Sequence, residues 1–265
     1  MGFKEIENRV AMFESNNLVR FIPGLPILCR FDGSSFSKFT RDLERPFDQR
    51  LTDLMIETAK FITELTNARL ALVGSDEITI LLYEESETSQ TIYNGRYEKI
   101  LSELSSQISV FFNKQLPKYL PEKVECSPYF DAKAWQVPTL EEASNCFWVR
   151  EESITRNAIT MAALKYYSSK QLEGINGPQK QEMLFQKGVN FNDYPVSFKR
   201  GVYIQKKKEL NKFTIEEIEK LPLKHIARTN PDLMIERKSI KVIELPIFKT
   251  IKNKTNVLLG EDPIV

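Results

Sequence analysis

The amino-acid sequence predicts an α+β fold of the ferredoxin-like, split βαβ kind, followed by a C-terminal appendage rich in basic residues. Three observations predict it. Short apolar runs have the length of strands, two long stretches carry apolar residues at helical spacing, and these segments follow one another in the order β-α-β-β-α-β. The length of 265 residues and the hydrophobic fraction of 42% fit one large folded domain with an appendage.

The first half of the pattern begins with an apolar strand over residues 26–31, which ends on Asp-Gly. A helix is predicted over residues 50–67, because apolar residues recur there every three to four positions. Strands over residues 70–73 and 78–83 then form a hairpin around the Gly-Ser-Asp-Glu connection at residues 74–77. In a split βαβ sheet the first strand pairs beside this hairpin.

The second half predicts a long helix over residues 92–116, which Pro117 and Pro121 end. A strand follows over residues 129–137. Thr139 has the character of a helix N-cap, because two glutamates occupy the first turn after it, and the helical pattern then continues to about residue 169.

The remaining segments are shorter. A helix is predicted over residues 179–187, and the tail mixes short strands with a helix near residues 214–220. We expect a palm domain with helical insertions over residues 1–198 and an appendage packed on it over residues 199–265. Polymerase palms and nucleotidyl cyclases share this element order, but a fold alone does not establish a function.

The net charge is an average over unequal regions. There are 37 Lys and Arg against 36 Asp and Glu, so the formal net charge is +1. Residues 199–212 nevertheless contain six basic residues and one Glu, and residues 235–254 contain six basic residues and two Glu. Near-neutrality therefore does not exclude a nucleic-acid partner. For Lys206 to Lys208 a solvated strand edge and contact with an RNA backbone both stay open.

Cysteine usage and hydropathy indicate the cellular class. Cys29, Cys126 and Cys146 form no CxxC pair, which disfavours a disulfide framework or a structural zinc site. No apolar signal core follows the N-terminus, and no run approaches the roughly 20 apolar residues that span a bilayer. We expect a soluble, cytoplasmic protein with no membrane partner.

The most informative side chains are two aspartates. Asp32 ends the first strand and Asp76 lies at the hairpin tip. Because neighbouring strands lie about 4.8 Å apart, both carboxylates can converge on one face. Hard oxygen ligands of this kind suit Mg²⁺, and two such ions would assist an in-line displacement at phosphorus. The alternative is that both dipeptides, Asp32-Gly33 and Ser75-Asp76, are ordinary turns.

Small and basic residues beside the aspartates fit a triphosphate. Gly33 allows close backbone approach, so that its carbonyl can bind metal and the following amides can surround phosphate. Small polar and cationic side chains complete the set: Ser34, Ser35, Ser37, Arg30 and Arg45.

Several short motifs, in order, resemble the tRNA-His guanylyltransferases and their Thg1-like relatives, the 3′–5′ nucleotidyltransferases. They are RFDGSSF at residues 30–36, RPFD at 45–48, GSDE at 74–77, FDAK at 130–133, GVNFNDYP at 188–195, FKRG at 198–201 and ELPIF at 244–248. Each motif is short, but the ordered set covers most of the chain. Basic residues are exchanged in two of them, where the family often has Lys in the second and Arg in the fourth.

The resemblance implies a palm that adds nucleotides to the 5′ end of tRNA. In this family a 5′-monophosphate attacks the α-phosphate of ATP or GTP, and the 3′-hydroxyl of an incoming nucleoside triphosphate then attacks the activated end. Two Mg²⁺ ions are implied at Asp32, Gly33 and Asp76. Glu77 joins the catalytic set, with support of the hairpin its expected role rather than direct metal binding. A homotetramer, as a dimer of dimers, is expected on the same basis.

The resemblance also implies contacts to the nucleotides and the tRNA. The first nucleotide is expected at Arg30, Asp32, Gly33, Ser34, Ser35, Phe36, Ser37, Arg45, Ser75 and Asp76. The second nucleotide or tRNA phosphates are expected at Arg96, Lys99, Arg150, Asn157, Lys180, Lys199 and Arg200.

Two departures from the family pattern narrow the expected function. The stretch TRNA at residues 155–158 stands where eukaryotic members have HINN, and it is similar to the bacterial type that favours template-dependent repair of 5′-truncated tRNA. The stretch VREES at residues 149–153 stands where the family has WRQxD. We therefore predict tRNA 5′-end repair, with two alternatives left open: tRNA-His guanylyltransferase activity, and a weakened RNA-binding paralogue.

Overall fold

In the computed structural model, which describes residues 2–16, 18–84, 90–230 and 232–265, six antiparallel strands form one sheet in the order β4-β1-β3-β2-β5-β6. The strands are β1 (Ile27–Gly33), β2 (Leu70–Gly74), β3 (Glu77–Leu82), β4 (Phe130–Gln136), β5 (Val202–Lys212) and β6 (Met234–Ile243). The first strand pairs beside the hairpin of β2 and β3, as predicted.

Nine α-helices lie in these described residues. They are α1 (Phe3–Ser15), α2 (Phe36–Phe39), α3 (Gln49–Thr66), α4 (Tyr97–Tyr119), α5 (Leu140–Leu164), α6 (Gly177–Phe185), α7 (Val196–Arg200), α8 (Ile215–Lys220) and α9 (Lys254–Leu258). The order β-α-β-β-α-β is observed from β1 to β4, with the short helix α2 between β1 and α3. No helix in the described part of the chain is long and apolar enough to cross a membrane.

The strands separate two apolar layers because successive side chains point to opposite faces. Ile27, Cys29 and Phe31 of β1 pack with α3 and α4, whereas Leu28 packs with α5. Cys29 is a free cysteine buried in this apolar layer. A third apolar cluster joins the second half of α5 to α6 and α7. The helix α5 therefore connects the sheet to the C-terminal helices.

Several boundaries differ from the prediction. The first strand continues through Gly33, because Gly33 still pairs with Phe130 of β4. A 3₁₀ turn precedes α4, and the helix continues past Pro117 to Tyr119. Proline lacks a hydrogen-bond donor and crowds the carbonyl four residues before it, but Pro117 lies in the last turn of α4, where only two helical residues follow it. The long helix α5 ends at Leu164, earlier than predicted.

Two regions were incompletely predicted. The helix α1 was not predicted, and none of its residues is buried. In the C-terminal part, the tail contains two long strands rather than short ones, and β5 pairs with β2 as well as β6. The residues after position 198 thus extend the same sheet.

Candidate active site

The two predicted carboxylates lie at adjoining ends of β1 and the β2–β3 hairpin. The backbone N–H of Gly33 donates to the carbonyl oxygen of Asp76 at 3.1 Å, which joins the two segments directly. Asp32 is the cross-strand partner of Glu77, the residue after Asp76. Ser75 adopts a positive φ of 55°, which the tight two-residue connection requires. The hairpin therefore holds Asp76 beside the end of β1.

Both aspartates are partly buried. Burial raises the pKa of Asp76, and the negative charge of Asp32 raises the pKa further, while a hydrogen bond from Ser75 opposes both effects. Two mutually repelling carboxylates beside a backbone carbonyl form a donor set that suits a hard divalent cation. In the described residues no group of three or more His, Cys, Asp or Glu side chains is arranged to hold a metal ion. The predicted site needs only two carboxylates and the carbonyl of Gly33.

Two adjacent cavities border the carboxylates. The first, of about 120 Å³, is lined by Asp32, Ser75, Asp76, Glu77, Arg150 and Asn157, together with apolar residues of α3 and α5. The second, of about 230 Å³, is lined by Phe36, Ser37, Arg45, Ser75 and Asp76, together with residues near the start of α3. Most of the polar residues predicted around the first nucleotide thus share one cleft, and Asp76 faces both parts of it.

The loop after β1 shows how Gly33 and the serines are placed. A Cβ atom at Gly33 would lie 2.3 Å from the Phe36 ring, so the loop closes tightly only with glycine there. Ser34 donates its hydroxyl to Asp131 at 3.3 Å, and Ser35 is exposed with a φ of 58°. The ring of Phe36 is 2% exposed and packs in the core, although it also borders the second cavity.

Glu77 is held by two arginines from other elements. Arg150 of α5 donates to both carboxylate oxygens, at 2.8 and 2.6 Å. Arg30 of β1 lies 3.9 Å from the same carboxylate. Paired, two-point contacts of this kind fix geometry. Glu77 therefore connects the hairpin to α5 through Arg150.

The other predicted cations are dispersed. Arg96 and Lys99 lie at the start of α4, where Arg96 pairs with Glu98 and Lys99 lies over the Tyr93 ring. Lys180 donates to Thr160, and Lys199 donates to the carbonyl of Asn192. Of the seven residues predicted for the second nucleotide or tRNA, Arg150 and Asn157 alone line the two cavities as described.

Two acidic residues at the site were not predicted as functional. Asp48 is 6% exposed, caps α3 and receives hydrogen bonds from the Arg50 side chain, which with other hydrogen bonds lowers the Asp48 pKa despite burial. Its position in the RPFD motif is the sequence feature that could have indicated a functional role for Asp48. Asp131 of β4 is the cross-strand partner of Asp32. The FDAK motif contains Asp131, but only the register of β1 with β4 shows that Asp131 lies beside Asp32.

Comparisons with known proteins indicate the family. A family model described as tRNAHis guanylyltransferase, Thg1, matches residues 7–138. The tRNA(His) guanylyltransferase of Schizosaccharomyces pombe is 26% identical over 249 residues, which cover 85% of this chain and 94% of that protein.

Solved structures extend the likeness to nearly the whole chain. A bacterial tRNA(His) guanylyltransferase (Thg1)-like protein in complex with ATP superposes with a TM-score of 0.77 at 29% identity, covering 96% of this chain and 97% of that one. A second solved structure, of a bacterial tRNA(His) guanylyltransferase (Thg1)-like protein in complex with GTP, has a TM-score of 0.73 at 25% identity and covers 97% of this chain and 100% of that one. The overall fold is that of the nucleotidyltransferases to which these proteins belong. The chain belongs to the Thg1 family.

Proposed function

We propose that this protein is a Mg²⁺-dependent 3′–5′ nucleotidyltransferase that activates the 5′ end of tRNA with ATP or GTP and adds nucleotides to it, in template-dependent repair of 5′-truncated tRNA. The observation that carries the proposal is the convergence of Asp32 and Asp76 on a cleft lined by serines and arginines. The ATP and GTP complexes of the similar bacterial proteins support nucleoside triphosphates as substrates.

The carboxylates of Asp32 and Asp76 and the carbonyl of Gly33 would hold two Mg²⁺ ions. When bound, these ions would neutralise charge on the phosphates and lower the barrier to displacement. The residues of the loop after β1, with Ser75, would bind the first triphosphate. Arg45 would bind its phosphate tail. Arg30 and Arg150 hold Glu77, and through it they would keep the hairpin in place.

Two successive displacements at phosphorus follow from this arrangement. In the first, an oxygen of the tRNA 5′-monophosphate attacks the α-phosphorus of ATP or GTP, and pyrophosphate leaves. In the second, the 3′-hydroxyl of the incoming nucleoside triphosphate attacks the 5′-phosphorus of the activated tRNA, loses its proton, and nucleoside monophosphate leaves. Both reactions need the same in-line geometry, so one cleft would serve both.

The finer assignments belong to the same proposal. The sheet of β1 to β4 and its helices would act as a ferredoxin-like palm over residues 1–198, with residues 199–265 as its basic extension. The chain would work as a homotetramer. Lys99, Arg96, Lys180, Lys199 and Arg200 lie outside the two described cavities and would contact the second nucleotide or the tRNA backbone.

A direct test uses a tRNA transcript that lacks its first nucleotide and carries a labelled 5′-monophosphate. We expect Mg²⁺-dependent addition of the nucleotide that completes the first base pair, with ATP or GTP required for activation. An intact tRNA-His transcript is the matched substrate. Preferential addition of guanylate to intact tRNA-His would favour the tRNA-His guanylyltransferase alternative. Retained tRNA binding without triphosphate turnover would instead favour an RNA-binding paralogue and overturn the proposal.

A further inference from the structure

A second buried carboxylate lies behind the cleft. Glu151 of α5 is 3% exposed and follows Arg150 directly. The backbone N–H of Phe248 donates to its Oε1 at 2.9 Å, and the hydroxyl of Tyr203 donates to its Oε2 at 3.0 Å. These two hydrogen bonds join α5 to β5 and to the C-terminal segment. Two neutral donors do not neutralise a buried charge, which needs a cation nearby.

The cation is Arg200, at the end of α7. Its Nη1 lies 3.9 Å from Oε2 of Glu151, and its side chain is 22% exposed. Within residues 2–16, 18–84, 90–230 and 232–265, the guanidinium makes no hydrogen bond to a protein acceptor that meets normal geometry. Since a guanidinium carries five N–H donors, most of them stay available while the carboxylate anchors one side.

The position of Arg200 relates it to the cleft. Ser197, Phe198 and Val202, on either side of it in the sequence, line the first cavity with Asp32 and Asp76. Arg200 itself is not among the lining residues, but its neighbours place it close to the cavity. An arginine with spare donors there suits a phosphate group, because its planar fork matches phosphate oxygens. Restricting that side chain in advance would reduce the entropy lost on binding.

We propose that Glu151 is a positioning residue that holds Arg200 ready to bind a phosphate at the rim of the cleft. The inference rests on the proposed function, because the phosphate is either that of a nucleoside triphosphate or that of the tRNA backbone. The hydrogen bond from Phe248 needs only an oxygen acceptor, which glutamine also supplies. The negative charge is needed for Arg200 alone.

The test is a double-mutant cycle on the full chain. Glu151→Gln keeps an acceptor for Phe248 but removes the charge, and Arg200→Gln removes the guanidinium. We expect Glu151→Gln to raise KM about 5- to 20-fold with kcat within about twofold, and to have no further effect in the Arg200→Gln background. The exposed neighbour Glu152 provides the matched control, since Glu152→Gln makes the same chemical change and should leave KM unchanged.

Two titrations distinguish the source of the phosphate. KM for GTP or ATP rises if Arg200 binds the triphosphate, whereas KM for the 5′-truncated tRNA rises, with a weaker salt dependence, if it binds the RNA backbone. The melting temperature of Glu151→Gln should not fall. Unchanged KM values, an equal effect in the Arg200→Gln background, or a loss of kcat together with a lower melting temperature would each overturn the proposal.

Failure of the proposed function would be visible separately. If the wild-type protein adds no nucleotide, the same four variants are compared by equilibrium binding of GTP and of 5′-phosphorylated truncated tRNA. Weaker binding by Glu151→Gln only where Arg200 is present would support the coupling. Equal binding by the wild type and Glu151→Gln would exclude it.

Discussion

The two faces of the sheet differ in chemistry although the same strands form both of them. On the face covered by α3 and α4, Phe31 of β1 and Ile78 of β3 are fully buried in an apolar core. On the face toward α5, their immediate neighbours Asp32 and Glu77 are charged and border the cleft. Since side chains alternate along a strand, one residue separates a core position from a site position. The apolar face determines where the carboxylates lie, and the charged face determines what they can do.

The largest expected effect is on the charged face. Asp76→Asn removes a carboxylate but preserves shape, so we expect nucleotide addition to fall by a factor on the order of 10³ or more, because several kcal/mol of transition-state stabilisation is lost. The rate is measured with truncated tRNA under single-turnover conditions. Asp53→Asn, an exposed carboxylate on α3, is the control and should retain wild-type activity. Full activity of Asp76→Asn would remove Asp76 from the mechanism.

The corresponding change on the apolar face should affect stability. Phe112 of α4 is 0% exposed and packs against Phe36, Phe39 and Phe130. We expect Phe112→Ala to lower the free energy of unfolding by about 3–5 kcal/mol, because it leaves a cavity as well as losing apolar burial. Denaturant unfolding measures this.

The control for that change is Phe185→Ala on α6, whose side chain is 67% exposed. It should change the free energy of unfolding by no more than about 0.5 kcal/mol. Similar losses in the two variants would contradict the assignment of the core to the face covered by α3 and α4.

A smaller effect is expected where the hairpin meets α5. Glu77→Gln leaves Arg150 with one neutral acceptor in place of a carboxylate, so the hairpin should hold Asp76 less firmly. We expect nucleotide addition to fall by about 10- to 100-fold, the range found for residues that orient metal ligands. Glu57→Gln, which breaks the surface pair with Lys60 on α3, is the control. An activity loss shared by both variants would indicate a general effect of lost ion pairs.

Much of this difference between the apolar face and the charged face of the sheet could be predicted from the sequence. Alternation of apolar residues predicted the strands, and the positions of Asp32 and Asp76 at strand ends predicted their convergence. The partners of Glu77 and Glu151 could not be predicted, because Arg150, Tyr203 and Phe248 are distant in sequence and meet only through the packing of α5 on the sheet. The helix α1 was missed because it buries no residue, so no core contact selects its pattern.

The pairing of β5 with β2 was missed for a different reason. The lysines of β5 indicated an exposed, charged tail, yet Tyr203 and Ile204 at its start are buried against the sheet. Composition averaged over the strand concealed this difference between its two ends. Local pattern predicts an element, but the neighbour of that element depends on contacts across the whole chain.

The smallest expected effect concerns Glu151 and pH. Burial raises the pKa of Glu151 above its value in the unfolded chain, although Phe248, Tyr203 and Arg200 oppose the shift. Ionisation of Glu151 therefore destabilises the folded protein. This destabilisation is absent below the unfolded-state pKa and fully present above the folded-state pKa. Glu151→Gln should melt within about 1 °C of the wild type near pH 4 and a few degrees higher near pH 8.

Thermal unfolding across that pH range without Mg²⁺ measures the difference, and Glu152→Gln should show no such trend. A melting temperature of Glu151→Gln that stays below the wild type at pH 8 would mean that the attraction to Arg200 outweighs desolvation. The expected result would instead mean that Glu151 lowers the stability of the protein while it supports phosphate binding. Because Arg200 is partly exposed, it can regain water when the carboxylate is removed. The charge at position 151 therefore lowers the stability of the fold, while through Arg200 it favours the binding of a phosphate.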